Sequence, residues 1–368
     1  MKATRSRSLA ALAVVGTLAL SACGSDNGAT KKQTHTAGGS NAASGSSDCA
    51  TGSIAGAGST FQQNMEQQWI SDFSAKCSGA QINYQGIGSG AGIQQFSSGT
   101  IDFAGSDVAM KPDEQAKADA RCGSKAIHIP VTAGGIAVIY HLKGVDNLQL
   151  SAKTLAGIFQ GTISRWNDAS IRAENPGTSL PSTTIAPFHR SDGSGTTSVF
   201  SGFLDSAAKG VWTLGTGKVL QWPGGQGAKG SDGVTAGVKQ TDGGITYAEV
   251  SFAKANSLPT AKIKGAGSTY VELTAANVSQ ALQSFSVTGT GSDLAGKVNF
   301  TDTSGYPIST VTYVIVCSTG KDASKTKLLK AYLSFATGAG QSASAGLGYA
   351  PLPAGLADKV KSSIDSLS

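Results

Sequence analysis

The residues best equipped for chemistry lie in one short run, His189-Arg190-Ser191-Asp192-Gly193-Ser194-Gly195-Thr196-Thr197. Ile185-Ala186-Pro187-Phe188 before it reads as a strand. Val199, Phe200, Phe203 and Leu204 after it read as the apolar face of a helix. Ser194 is a good N-cap, and the glycines let backbone N–H groups approach a ligand closely. A helix N-terminus presents unpaired N–H donors and the positive end of a dipole, so it favours anions. Arg190 adds a planar fork of donors suited to an oxyanion. Asp192 stands two residues on, and on an extended backbone the two side chains share a face and can pair. The run predicts a positive socket with its own counter-charge.

Two further stretches repeat the device. Ala55-Gly56-Ala57-Gly58-Ser59-Thr60-Phe61 opens a ladder of Phe61, Met65, Trp69 and Phe73. Gly86-Ile87-Gly88-Ser89-Gly90-Ala91-Gly92 follows the strand Ile82-Asn83-Tyr84 and precedes Ile93 and Phe96. A plain helix cap would account for any one of these; three glycine–hydroxyl turns, each feeding a helix, point to a shared anion. A fourth piece, Ile101-Asp102-Phe103-Ala104-Gly105-Ser106-Asp107, puts a carboxylate at the end of a strand read at 101–103.

In this order the four pieces resemble the phosphate-binding subunit of bacterial phosphate ABC transporters. The resemblance runs from about Gly56 to Leu352. It takes in Ser164-Arg165-Trp166-Asn167-Asp168, Trp222-Pro223-Gly224-Gly225-Gln226-Gly227-Ala228-Lys229-Gly230, Gly244-Ile245-Thr246-Tyr247 and Tyr306-Pro307-Ile308. One departure is Gln62, where the family often has proline. The resemblance implies that phosphate contacts fall on Thr60, Phe61 through its backbone, Ser89, Asp107, Arg190, Ser194, Gly195 and Thr196, with Asp192 in support. It implies no cofactor and no metal, an α/β two-lobed periplasmic-binding-protein fold of type II, and a transmembrane permease as partner. Asp107 carries the selectivity argument. Phosphate keeps a proton near neutral pH and sulfate does not, so an ionised carboxylate accepts from the first and repels the second.

Enzyme readings fit poorly. Neither Gly88-Ser89-Gly90 nor Gly193-Ser194-Gly195 completes a Gly-x-Ser-x-Gly elbow. No Walker lysine follows a glycine loop, the dinucleotide fingerprint is absent from 86–92, and metal motifs are missing. His35 lies in a polar stretch, and His128, His141 and His189 stand isolated on strands, which suits structural roles. The alternatives to a phosphate receptor are a receptor for another oxyanion or phosphorylated solute, and an exported phosphatase-like relative.

The chain of 368 residues is long enough for two domains with real cores. With 14% charged residues and 49 glycines it reads as a glycine-rich globular protein. Its formal charge of +6 falls to about +3 once Lys2, Arg5 and Arg7 are set aside, too little for a nucleic-acid footprint. Those three residues precede an apolar Leu9–Leu20 too short to span a bilayer, and the run ends Leu20-Ser21-Ala22-Cys23. This resembles a lipoprotein signal over 1–22, with Cys23 lipidated, followed by a flexible tether over 23–48. We therefore expect an exported protein anchored to the outer face of the cell membrane. Cys49, Cys77, Cys122 and Cys317 remain, an even number suited to disulfides, with three connectivities open.

Alternating periodicities predict α/β layering. Strands are expected at 82–84, 126–130, 135–141, 185–189, 244–247 and 311–316. Helices are expected at 61–76, 91–97, 112–120, 153–160, 196–205, 232–240 and 325–335. Val131-Thr132-Ala133-Gly134-Gly135 is read as a hinge between two strands. The resemblance brings the C-terminal part back to the first lobe, giving lobe I at 49–131 plus 306–368 and lobe II at 132–305.

Overall fold

The computed structural model describes residues 49–301 and 304–368; the expected signal, Cys23 and the tether lie outside them. The first half alternates strand and helix: β1 (Gly52–Gly58), α1 (Gln63–Lys76), β2 (Ala80–Gly86), α2 (Ser89–Ser97), β3 (Phe103–Ser106) and α3 (Pro112–Cys122). A long β4 (Ala126–His141) leads to α4 (Ala152–Phe159), β5 (Ala186–Arg190), α5 (Gly195–Ala207), β6 (Gln226–Ala228), α6 (Gly230–Gln240), β7 (Gly244–Glu249) and α7 (Val250–Asn256). The chain returns through β8 (Ser309–Cys317), α8 (Ala323–Thr337) and α9 (Ala354–Asp365). Among the described residues, no helix is long and apolar enough to cross a membrane.

Eight strands form one mixed sheet in the order β2-β1-β3-β8-β4-β7-β5-β6. β1 pairs parallel with β2 and β3, and β5 pairs parallel with β6 and β7. β8 is antiparallel to both β3 and β4. β4 joins the two halves. Its residues 126–135 pair with β8, from Cys317↔Ala126 to Ser309↔Gly135, and its residues 136–141 pair with β7, from Ile136↔Glu249 to His141↔Gly244. Ala126 to Tyr140 are all buried, which matches a near-continuous run of β-branched and apolar residues covered on both faces.

This corrects the expectation of two strands: 126–130 and 135–141 are one strand, and 131–135 is where it changes partner. Its two glycines serve packing. A Cβ on Gly134 would lie 2.8 Å from the Phe61 ring, and one on Gly135 2.2 Å from Leu273. Three other boundaries move. The strand read at 101–103 is Phe103–Ser106, and the Asp102 carboxylate instead accepts the Ala55 N–H at 2.9 Å. Ala55 to Gly58 belong to a strand, and α1 starts at Gln63. α2 begins at Ser89, so two glycines read as turn residues are helical. The four described cysteines form Cys49–Cys77 and Cys122–Cys317. His128 is structural: its Nε2 accepts the Met110 N–H at 3.0 Å, and its Nδ1 lies 2.8 Å from Asp293 Oδ1.

Candidate functional site

Five chain segments converge where parallel strands end and helices begin, the position at which open α/β sheets bind ligands. They are the β1–α1 turn, the start of α2, the residue after β3, the β5–α5 turn and the start of α6. β1 and β3 run with β4 while β5 and β7 run against it, so the C-terminal ends of the two halves meet along the stretch of β4 that changes partner, and helices that start there turn their first N–H groups toward it. Ser194 caps α5, its Oγ accepting the Thr197 N–H at 3.0 Å. Ser89, Asp107, Arg190, Ser194, Thr60 and Thr196 are all at most 4% exposed.

Asp107 is the centre of the arrangement. Its Oδ1 accepts from Ser59 Oγ and, at 2.9 Å, from Thr312 Oγ1. Its Oδ2 accepts from Thr196 Oγ1 at 3.1 Å. Ser89 Oγ sits between the halves, accepting the Asp107 N–H at 3.4 Å and the Gly195 N–H at 3.2 Å. Burial pushes the Asp107 carboxyl up. Hydrogen bonds from Ser59, Thr312 and Thr196 and the charge of Arg190 oppose that without cancelling it, so its pKa stays above the ordinary value.

Arg190 is held from the side. Its Nε donates to Asp192 Oδ1 at 2.7 Å and its Nη2 to Asp192 Oδ2, a fork-on-fork pair that uses two of its five N–H donors. Burial raises the Asp192 carboxyl, but the hydrogen bonds and charge of Arg190, with the Gly230 N–H at 3.0 Å, outweigh this and keep it below the usual range. Asp192 thus ties the β5–α5 turn to the start of α6. Thr60 reaches the same helix: its Oγ1 lies 2.9 Å from Ser231 Oγ and accepts the Ser231 N–H at 3.3 Å.

Two glycines are required by close approach. A Cβ on Gly195 would lie 2.5 Å from Ser89 Oγ and 2.8 Å from Asp107 Oδ2. Gly88 combines φ 90 with Asp192 Oδ2 at 2.2 Å from its would-be Cβ. Behind the turn, His189 stacks on Trp222 with centroids 5.0 Å apart, and Tyr247 Oη lies 2.8 Å from Thr197 Oγ1.

All eight residues expected to meet the anion, and Asp192, fall on these five segments. Sequence reasoning missed Ser59, Thr312, Gln62 and Ser231. Ser59 stood inside a quoted turn but was passed over for Thr60; its Oγ also accepts the Phe61 N–H at 2.9 Å. Thr312 donates to Asp107 from a strand read only as apolar core, and Thr312 Oγ1 is also 2.9 Å from Gln62 Oε1. A buried threonine within Val311–Val316 was the available signal. Gln62, at the family's usual proline position, takes part in this network.

A family model described as a PBP superfamily domain matches residues 40–339. Phosphate-binding protein PstS 3 of Mycobacterium tuberculosis (strain ATCC 25618 / H37Rv) is 39% identical over 377 residues, covering 100% of both chains. Phosphate-binding protein PstS of Xylella fastidiosa (strain Temecula1 / ATCC 700964) is 35% identical over 318 residues, covering 84% of each. Among solved structures, a high affinity periplasmic phosphate-binding protein (PfluDING) bound with phosphate superposes with a TM-score of 0.69 at 22% identity, covering 84% of this chain and 93% of that one.

Proposed function

The chain belongs to the phosphate-binding PstS proteins of the PBP superfamily, and from that premise we propose how it binds inorganic phosphate and hands it on for ABC-type import. The observation that carries the reading is Asp107: a buried carboxylate beside a buried arginine, with hydroxyls and helix N-termini converging on it.

In this reading phosphate lies among Thr60, the Phe61 N–H, Ser89, Asp107, Arg190, Ser194, Gly195 and Thr196. Asp107 Oδ1 is occupied by Ser59 and Thr312, both outside that set, so Oδ2 is the oxygen left to accept a P–OH proton. Thr196, which donates to Oδ2, turns its hydroxyl to the anion as the proton arrives. Arg190, with Asp192 holding one edge of its fork, offers its remaining donors. Neutral donors disperse most of the charge. A sulfate oxygen facing Oδ2 would meet an unprotonated carboxylate with no proton between them, a repulsion the site does not relieve.

Binding draws together a lobe of residues 49–131 plus 306–368 and a lobe of 132–305, the hinge closure typical of periplasmic binding proteins. The closed form docks on the permease subunits of a phosphate ABC transporter. Lipidation of Cys23 anchors the protein outside the cell membrane through the tether that follows. The role is binding without turnover, so a chromogenic phosphate ester should remain uncleaved.

Calorimetric titration with phosphate, arsenate and sulfate at fixed salt and pH 7 tests the reading. Phosphate should bind and sulfate should bind far more weakly. Equal affinity for the two would overturn it.

A further inference from the structure

A second link joins the two sides of the site without using any group proposed to bind phosphate. Glu114 stands in the first turn of α3, on the side of the sheet that carries Asp107 and Ser89. Lys218 stands in the segment between α5 and β6, on the Arg190 side. Lys218 Nζ lies 2.6 Å from both carboxylate oxygens of Glu114, with side chains only 10% and 21% exposed.

Both partners are anchored at the backbone. Glu114 Oε2 also accepts the Lys111 N–H at 2.9 Å, closing a capping box at the start of α3. The Lys218 carbonyl accepts the Ser194 N–H at 2.9 Å, and Ser194 is the cap of the helix that presents Gly195 and Thr196. The result is a continuous line from the α3 N-terminus through the ion pair to the phosphate turn. Beside it the Gly90 N–H donates to the Gly193 carbonyl at 2.8 Å. Long exposed ion pairs contribute little because two mobile side chains must be ordered; here the lysine is mostly buried and both ends are already fixed.

We propose that Glu114 and Lys218 form a latch that holds the two sides of the site together around phosphate and slows its release, acting as positioning residues. This rests on the two-lobe closure given above. The latch should act on the dissociation rate, where most affinity differences between related complexes arise.

Glu114→Gln keeps a side chain able to cap α3 while removing the charge, and Lys218→Met keeps the stem and the carbonyl that holds Ser194. Stopped-flow release and calorimetric affinity for inorganic phosphate would be measured on wild type, both single variants and the double. Each single variant should speed release and weaken affinity about tenfold, and the double should lose little more, because one interaction is being removed twice. Singles within twofold of wild type, or losses that add in the double, would overturn the latch. Hydrogen exchange at the Ser194 and Gly90 amides, read with every form saturated with phosphate, judges the latch separately from affinity. Faster exchange in Glu114→Gln is expected, and unchanged exchange counts against it. A wild type that binds no phosphate would sink the functional reading and the latch with it, whereas a wild type that binds phosphate with unchanged variants would overturn the latch alone.

Discussion

At the scale of single residues, the proposed reading separates charge attraction from proton recognition. We assign the attraction to Arg190. Arg190→Ala should weaken phosphate binding by about 1.5–3 kcal/mol, the range for hydrogen bonds involving a charge, measured by calorimetry on protein whose circular dichroism is unchanged. Unaltered affinity would reduce Arg190 to a structural partner of Asp192. We assign the recognition to Asp107. In Asp107→Asn the amide oxygen is drawn to the Oδ1 position, where Ser59 and Thr312 donate. The NH₂ group is thereby turned to the Oδ2 position, facing the anion. An acceptor becomes a donor there, which costs phosphate its partner and offers sulfate one. Discrimination between the two anions should fall by one or two decades, about 1.4–2.8 kcal/mol, in paired titrations at pH 7. An unchanged ratio would take selectivity away from Asp107.

At the scale of elements, α1 carries a cost. It presents Glu66, fully buried, to the core, where Tyr332 Oη of α8 donates to its carboxylate. Burial raises that carboxyl from 4.5 to about 7, and the Tyr332 bond only partly opposes it. Glu249, at the end of β7, is pushed to about 8, again by burial first. Between 4.5 and about 7 the unfolded chain releases the Glu66 proton while the folded chain keeps it. The native state then binds more protons, so stability falls as pH rises through this window and is fully present below it. Glu66→Gln keeps an acceptor for Tyr332 and removes the titration. Denaturant unfolding should show wild-type stability dropping relative to this variant by up to about 3 kcal/mol between roughly pH 4.5 and 7.5. Parallel pH profiles would show that Glu66 is solvated in a way its burial denies.

At the scale of the molecule, the two disulfides do unequal work. Cys49–Cys77 closes a separation of 28 residues, and Cys122–Cys317 one of 195. The longer bridge joins the end of α3 to the end of β8, beside the Cys317↔Ala126 pairing, and so encloses the whole excursion through β5, β6 and β7. Chain entropy alone assigns the longer loop about 5 kcal/mol and the shorter about 3.5 kcal/mol. Paired Cys→Ser variants compared by denaturant unfolding should therefore rank Cys122/Cys317 as the costlier loss; the reverse order would place the stabilisation in local packing. The proposed membrane anchor is tested on the whole chain. Cys23→Ala should move the protein from the detergent phase to the aqueous phase on partition, and equal retention of both forms would remove the anchor.

Local chemistry was enough to read the turn from Arg190 to Thr197 from sequence, while the wider set of expected phosphate contacts came from the family resemblance. Gly-Ser-Gly-Thr after an extended Arg-x-Asp places a cap, a close backbone approach and an ion pair within a few residues of each other, and the structure shows Ser194, Gly195, Arg190 and Asp192 in those roles. Helices with strong apolar spacing, such as 63–76 and 323–337, were legible for the same reason, because each buries one face that the spacing records. What the sequence left open depends on contacts between distant segments. The glycines at 134 and 135 look like a turn until Phe61 and Leu273 are seen pressing on them within a continuous strand. Ser59 and Thr312 fill Asp107 Oδ1 across 48 and 205 residues, and Ser231 meets Thr60 across 171. Pairing of the four cysteines, the change of partner along β4 and the Glu114–Lys218 contact were likewise decided only by the fold. No periodicity encodes which hydroxyl or which charge stands opposite another once the oppositely running halves of the sheet have brought their strand ends together along β4.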